Sequence, residues 1–266
     1  MGAGFPGLAF RGPPVIEAPT RYDAHLTLMV RESFAMGDDR GSPTQQLDPL
    51  PKDRSPMNAG PVQLPGVPFE LVWDLAPEHW EPVVGSASRE SGVLVEAGPL
   101  SDLFASPDDL EPSLNAPRLI GVPDSRFQLS ALVEVEFAST FDAGVLLVWA
   151  NERSWAKLCL EFSPAGQPMV VSVVTRGVSD DANSRDVEGS GTWLRISRST
   201  PGSFAFHAAT DGVHWSLIRH FSLDTTPDDV VRIGFLAQSP TGEGCRASFS
   251  QLRYLPEALD DLRGGD

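Results

Sequence analysis

Residues 142–181 read DAGVLLVWANERSWAKLCLEFSPAGQPMVVSVVTRGVSDD, three apolar runs separated by turn signals, with a few polar residues set into them at strand spacing. From Trp155 the residues alternate. Strand side chains repeat with period two, so Ala156, Leu158, Leu160 and Phe162 share one face, and Trp155, Lys157, Cys159 and Glu161 share the other. The first set suits a core. The second displays an indole, an ammonium and a carboxylate about 6.5 to 7 Å apart along the strand, the spacing of a shallow polar groove. Ser163-Pro164-Ala165-Gly166-Gln167 supplies a Pro and a Gly between two of the runs, and Thr210-Asp211-Gly212-Val213 carries an Asp-Gly pair that tolerates positive φ. Both predict antiparallel hairpins.

Outward from this stretch the same signature continues. Short apolar or alternating runs bounded by Gly, Pro, Asp and Ser predict strands near Phe69–Asp74, Val93–Ala97, Arg118–Gly121, Phe127–Phe137, Gly144–Trp149, Trp155–Phe162, Met169–Arg176, Trp193–Ser199, Ser203–Thr210, Trp215–Ser222, Val230–Ala237 and Ala247–Tyr254. Only Pro107–Leu114 and Glu257–Arg263 suggest a helical turn. About twelve strands over roughly 195 residues exceed an immunoglobulin-type domain and suit a larger two-sheet sandwich. No fixed-period repeat is visible, which weighs against a propeller.

Residues 1–60 contain 8 prolines and 7 glycines, a density that breaks helices and strands alike. This predicts a disordered or loosely docked arm, or a true start at Met57, ahead of a sandwich over 61–256 and a flexible tail over 257–266. The arm has 6 Lys+Arg against 7 Asp+Glu, which leaves 14 against 29, a net of -15, for residues 61–266. A chain of formal charge -16 lacks the clustered cations that nucleic-acid or anionic membrane binding requires. No apolar run approaches the roughly 20 residues that span a bilayer, and the N-terminus lacks a basic region followed by a continuous apolar segment, so a cytoplasmic protein is expected. In a reducing compartment Cys159 and Cys245 are expected as free thiols, and no spacing suggests a metal site or a cofactor.

Several pieces together resemble the DUF1349 family of the concanavalin A-like lectin/glucanase superfamily, related to a yeast protein described as a regulator of enolase. They are Trp80, Ser101-Asp102, Asn115-Ala116-Pro117, Asp142-Ala143-Gly144-Val145, Trp155-Ala156-Lys157, Glu161, Val173-Val174-Thr175, Ser179-Asp180 and Asp211-Gly212-Val213-His214-Trp215, over about residues 68–255. The resemblance implies a jelly-roll sandwich of two curved antiparallel sheets whose concave face binds sugars in relatives. It implies no established activity. The family's aromatic residues after each Ser/Thr-Asp are replaced here by Leu103 and Asp181, with Phe104 one place later. Loss of a stacking ring would weaken a sugar groove.

Lys157 is the only lysine after residue 60, against 13 arginines, so its compact ammonium stands out. A ligand contact and a plain Lys157 to Glu161 ion pair both account for it. Glu161 could act as a general acid or base, but glycoside hydrolysis needs a second carboxyl about 5 to 9.5 Å away. The Glu-x-Asp-x-x-Glu signature of laminarinase-like glycosidases is missing, and Glu134 and Glu136 read as a solvated face. Asp142 reads as a turn aspartate that accepts backbone N–H bonds. Trp155 is expected as a site residue, Trp149 as core, and Trp193 and Trp215 as core or inter-sheet packing. His207, His214 and His220 do not share a strand face, and Ser179-Asp180-Asp181-Ala182-Asn183 reads as an acidic loop, solvated or holding Ca²⁺.

The leading expectation is a non-catalytic sandwich that binds a carbohydrate in a groove lined by Asp102, Trp155, Lys157, Glu161, Ser172 and Asp180. A glycan hydrolase using Glu161 with a second carboxylate, and a protein-interaction module acting on a metabolic enzyme, stand as alternatives.

Overall fold

A computed structural model describes residues 60–83, 91–109, 111–225 and 229–266, so the expectations for the first 59 residues, a start at Met57 included, lie outside the described residues. Among those described, every element is a strand and every pairing is antiparallel. The first sheet runs in the order β1 (Val72–Leu75), β6 (Arg118–Gly121), β15 (Arg232–Gln238), β8 (Ala143–Asn151), β9 (Ser154–Phe162), β10 (Pro168–Arg176) and β11 (Val178–Asp186). The second runs β14 (Ser216–Ser222), β13 (Ser203–Ala209), β12 (Gly191–Thr200), β7 (Phe127–Glu136), β16 (Cys245–Leu255), β3 (Gly92–Ala97) and β2 (Trp80–Val83). A two-stranded piece, β4 (Leu103–Phe104) with β5 (Ser113–Leu114), stands apart from both. Two large antiparallel sheets face to face make the expected jelly-roll sandwich.

Alternation decides what fills the space between the sheets. Ala156, Leu158 and Leu160 of β9 enter it together with Val170 and Val174 of β10, and meet Phe127, Leu129, Leu194, Ile196, Phe204 and Phe206 from the second sheet. Phe235 and Phe249 touch across the gap with ring centroids 5.1 Å apart. Each such fully buried side chain contributes on the order of 2 kcal/mol. At Gly144 a Cβ would lie 2.8 Å from Val133, so the bare backbone is what lets β8 approach β7.

The strand boundaries differ from expectation mainly where apolar alternation is weak. Residues 179–183, expected as an acidic loop, lie inside β11, an edge strand whose residues are mostly exposed. An edge strand with a solvated flank needs polar side chains, so its composition mimics a loop. Within Pro107–Leu114 the described residues hold a turn and the short β5 instead of a helical turn. The tail expected to be flexible is docked on the second sheet: Leu259 is buried, the Leu262 carbonyl lies 2.8 Å from His207 Nε2, and the Gly265 carbonyl accepts from Arg195 Nη2 at 2.6 Å. Backbone acceptors hold it, and composition does not display those. Cys159 and Cys245 are free and buried. Among the described residues no helix is long and apolar enough to cross a membrane.

Candidate functional site

The outer face of the first sheet carries the polar residues of β9. Register sets them in rows, because residues paired across adjacent strands point to the same side. One row is Ile120, Gly234, Leu147, Lys157, Val173 and Asp181; the next is Arg118, Leu236, Val145, Cys159, Val171 and Asn183. Beyond it lie Gln238, Ala143, Glu161, Met169 and Asp186. On the other side of the Lys157 row, Trp149 pairs with Trp155 and Trp155 with Thr175. The predicted division of β9 between two faces therefore holds residue by residue.

Most of this face is covered. Val145, Leu147, Trp149, Trp155, Cys159, Val171, Val173 and Leu236 form a second apolar cluster with Leu103 and Ala116, and Phe104, Leu114 and Met169 pack against it. The segment bearing β4 and β5 is thus a lid of side chains on the sheet. Two anchors hold it. Asn115 accepts from the Asp102 N–H through Oδ1 at 2.8 Å and donates to the Leu100 carbonyl at 3.1 Å. Ser179 Oγ accepts from the Ala105 N–H at 2.9 Å, and the Ser179 N–H returns a bond to the Ala105 carbonyl at 2.8 Å. Asp142, wholly buried, accepts from the Ala138 and Ser139 N–H groups and from Ser239 Oγ at 2.6 to 2.8 Å, the backbone role its turn position predicts.

Lys157 lies under the edge of this cover and is 1% exposed. Its Nζ donates to Gln238 Oε1 at 2.9 Å and sits 3.7 Å from Asp102 Oδ1. The Phe104 and Trp155 rings are each 5.7 Å from it. The ion pair is therefore with Asp102 and not with Glu161, which stands two rows, about 13 Å of strand, further along. Gln238 and Asp102 both come from outside the β9 hairpin, which is why the stretch around Lys157 did not reveal them.

Past Lys157 the face opens. Glu161 and Met169 are half-buried, while Asp181, Asn183 and Asp186 are exposed. Burial pushes the Glu161 carboxyl from 4.5 up to about 7 against the pull of the Lys157 ammonium, and the Asp181 and Asp102 carboxylates add to the rise. Burial also raises Asp181, again opposed by Lys157. The Cys159 thiol is pushed far up by burial, which leaves it unreactive.

Of the six residues expected to line one groove, Asp102, Trp155, Lys157 and Glu161 share this face. Ser172 and Asp180 do not. Ser172 pairs with Leu158 and Asp180 with Val174, both core residues, so their side chains point toward the second sheet. There Arg219 of β14 donates to Asp180 Oδ2 at 2.7 Å and to the Ser172 carbonyl at 3.3 Å, a strap between the sheets. Asp181, counted above as a lost aromatic, is the residue that reaches the Lys157 face. Trp155 is 0% exposed with Nε1 unpartnered, and it shares its cluster with Trp149, so neither ring is an open platform. Trp193 and Trp215 lie on the outer face of the second sheet, half-buried beside a cavity. Glu134 and Glu136 are exposed on that same face. The three histidines have separate partners, and among the described residues no cluster of ligands could hold a metal ion.

A profile for DUF1349, a protein of unknown function, matches residues 73–257. No curated protein matches the sequence. Among solved structures, a functionally unknown protein from Saccharomyces cerevisiae is similar at 22% identity and a TM-score of 0.60, over 70% of this chain and 95% of that one. An engineered GH43 glycoside hydrolase with endo-xylanase and exo-arabinofuranosidase activity is similar at 14% identity and a TM-score of 0.53, over 77% of this chain. A GH43 protein from Bacillus licheniformis follows at 13% and 0.50, over 71%. This chain spans 42% and 36% of those two glycosidases. At such identities the likeness is one of fold.

Proposed function

The chain belongs to the DUF1349 family, and we propose that it is a non-catalytic carbohydrate-binding protein that takes a neutral, hydroxylated ligand on the open flank of the first sheet. The observation that carries this reading is the grouping of one buried ammonium with three carboxyl groups, Asp102, Glu161 and Asp181, on a single outer face beside the half-buried Phe104 ring. Carboxylates accept from sugar hydroxyls, and an aromatic edge covers the apolar side of a pyranose. The enclosed ammonium, fixed by Gln238 and Asp102, offsets the negative charge of the flank without touching the ligand.

Glycan-array and thermal-shift screens of the full chain test this, with Glu161→Gln and Asp181→Asn as site variants and Asp180→Asn as the variant whose side chain faces the other way. A sugar bound by the wild type and by Asp180→Asn, and weakened in the other two, supports the site. Absence of any bound sugar, or equal weakening by all three, overturns it. One observation favours hydrolysis as a second reading: at about 7, Glu161 can hold or release a proton near neutrality. Turnover of a glycoside that disappears in a folded Glu161→Gln variant would promote that reading.

A further inference from the structure

The outer face of the second sheet holds a cavity of about 870 Å³, on the side of the sandwich away from Lys157. Its floor follows one row of the second sheet, of which Arg195, Ser130 and Arg253 line it. Pairing sets His207, Arg195, Ser130 and Arg253 side by side on β13, β12, β7 and β16. Adjacent strands lie about 4.8 Å apart, so the two arginines rise on either side of Ser130. In a chain of net charge -16 this pairing of cations needs a reason. Burial depresses Arg195 to about 10, opposed by the Asp266 charge and aided by the Arg253 charge.

The chain's own groups leave Arg195 incompletely satisfied. Its Nη2 donates to the Gly265 carbonyl, its Nη1 reaches Gln128 Oε1 only at 3.5 Å, and its Nε is buried without a partner although the residue is 6% exposed. The Asp266 carboxylate lies in the cavity wall and acts on Arg195 from a distance. The turn that brings Gly265 and Asp266 there is tied by Asp261, whose carboxylate accepts from Arg263 and Gly264 N–H at 3.0 Å each. Two half-buried indoles form the walls. Trp215 stacks under the Arg195 guanidinium at 4.3 Å, and Trp193 is braced by Gly212, where a Cβ would meet its ring at 2.7 Å.

We propose that this cavity is a second ligand site that takes a saccharide carrying one carboxylate, a uronic acid unit, and that Asp266 stands in for that carboxylate in the unliganded chain. The arginines meet the carboxylate, since charge-assisted bonds from guanidinium are the strong ones. Gln128, Ser130 and the indole edges meet the hydroxylated ring. The acidic rim, Asp211 and Glu257, excludes polyanions and so sets the preference for a single negative charge.

The test is calorimetric titration of the full chain with glucuronate, with glucose and inorganic phosphate as comparisons. Glucuronate binds in the cavity and phosphate does not, and any glucose held on the first sheet is untouched by Arg253→Gln, which separates the two sites. Arg253→Gln, an exposed position, weakens binding about tenfold, the loss of one good charge-assisted bond. Asp266→Asn tightens binding about threefold or more, because the internal competitor is removed. Asp180→Asn, on the edge strand of the first sheet and outside both sites, leaves it unchanged. Absence of glucuronate binding, binding of phosphate, glucose binding that Arg253→Gln weakens as much as it weakens glucuronate, indifference of glucuronate binding to Arg253→Gln, or weaker binding by Asp266→Asn each overturns the proposal.

Discussion

The two outer faces of the sandwich obey the same alternation and end in opposite states. On the first sheet the outward rows hold Leu147, Val145, Val171, Val173, Leu236 and Trp155, and a segment of the chain closes over them. On the second they hold Ser130, Arg195, Ser197, Ser248 and Arg253, and among the described residues the tail around Leu259 to Gly265 docks there. One outer face is closed by apolar side chains, and the other is closed over part of its extent by the tail and its carbonyls. A polar group on the first face is consequently enclosed and needs a dedicated partner, as Lys157 has in Gln238 and Asp102. On the second face Arg195 and His207 are enclosed too, with carbonyls of the tail as partners, while Arg253, Glu134 and Glu136 have water.

The contrast predicts unequal costs for like substitutions. Trp155→Ala should destabilise by about 4 kcal/mol, a core-like value, and Trp193→Ala by about 1 kcal/mol. Denaturant midpoints measure both, and equal costs would break the comparison. Lys157→Ala should cost about 3 kcal/mol, because it strips Gln238 and Asp102 of their shared donor under the cover, while Arg253→Ala should stay within about 0.5 kcal/mol.

Proton linkage sharpens the point. The folded value of Glu161, about 7, lies above its ordinary 4.5, so between those pH values the folded chain binds more protons than the unfolded one. Its contribution to stability therefore falls as pH rises from about 4.5 to about 7, by about 2 kcal/mol after allowance for solvent screening. Glu161→Gln should remove that slope and stabilise the protein at pH 8, which thermal unfolding across pH reads directly. The smallest effect belongs to Asp180→Asn, which loosens a half-exposed strap to Arg219 for about 0.5 kcal/mol.

How much of this was readable in the residues depended on where parity could be fixed. In β9 small apolar and polar residues alternate strictly, and each side chain fell on the face assigned to it. In β10 the run Val170, Val171, Ser172, Val173, Val174 has no alternation to read, because the strand is buried on both faces. The hairpin supplied the missing parity: the turn at Ser163–Gln167 puts Pro168 opposite Phe162, hence Ser172 opposite the core residue Leu158. That step would have removed Ser172 from the groove. Asp180 and Asp181 could be told apart only once β11 was known to be a strand, and its polar edge composition hid it. Gln238 and the docked tail are contacts of remote segments, one through a side chain and the other through carbonyls, and neither leaves a local pattern.

The cover over the first sheet has a consequence for the order of events in folding. Its anchors, Ala105 to Ser179, join positions 74 residues apart. The covering segment leaves the ribosome before β8 to β11 exist, and the rows it covers are complete only when β15, which carries Leu236, has joined them. It is made first and seated last. During that interval the apolar rows of the sheet are bare, so a nascent chain halted near residue 180 would present a sticky, chaperone-seeking surface that the finished protein conceals.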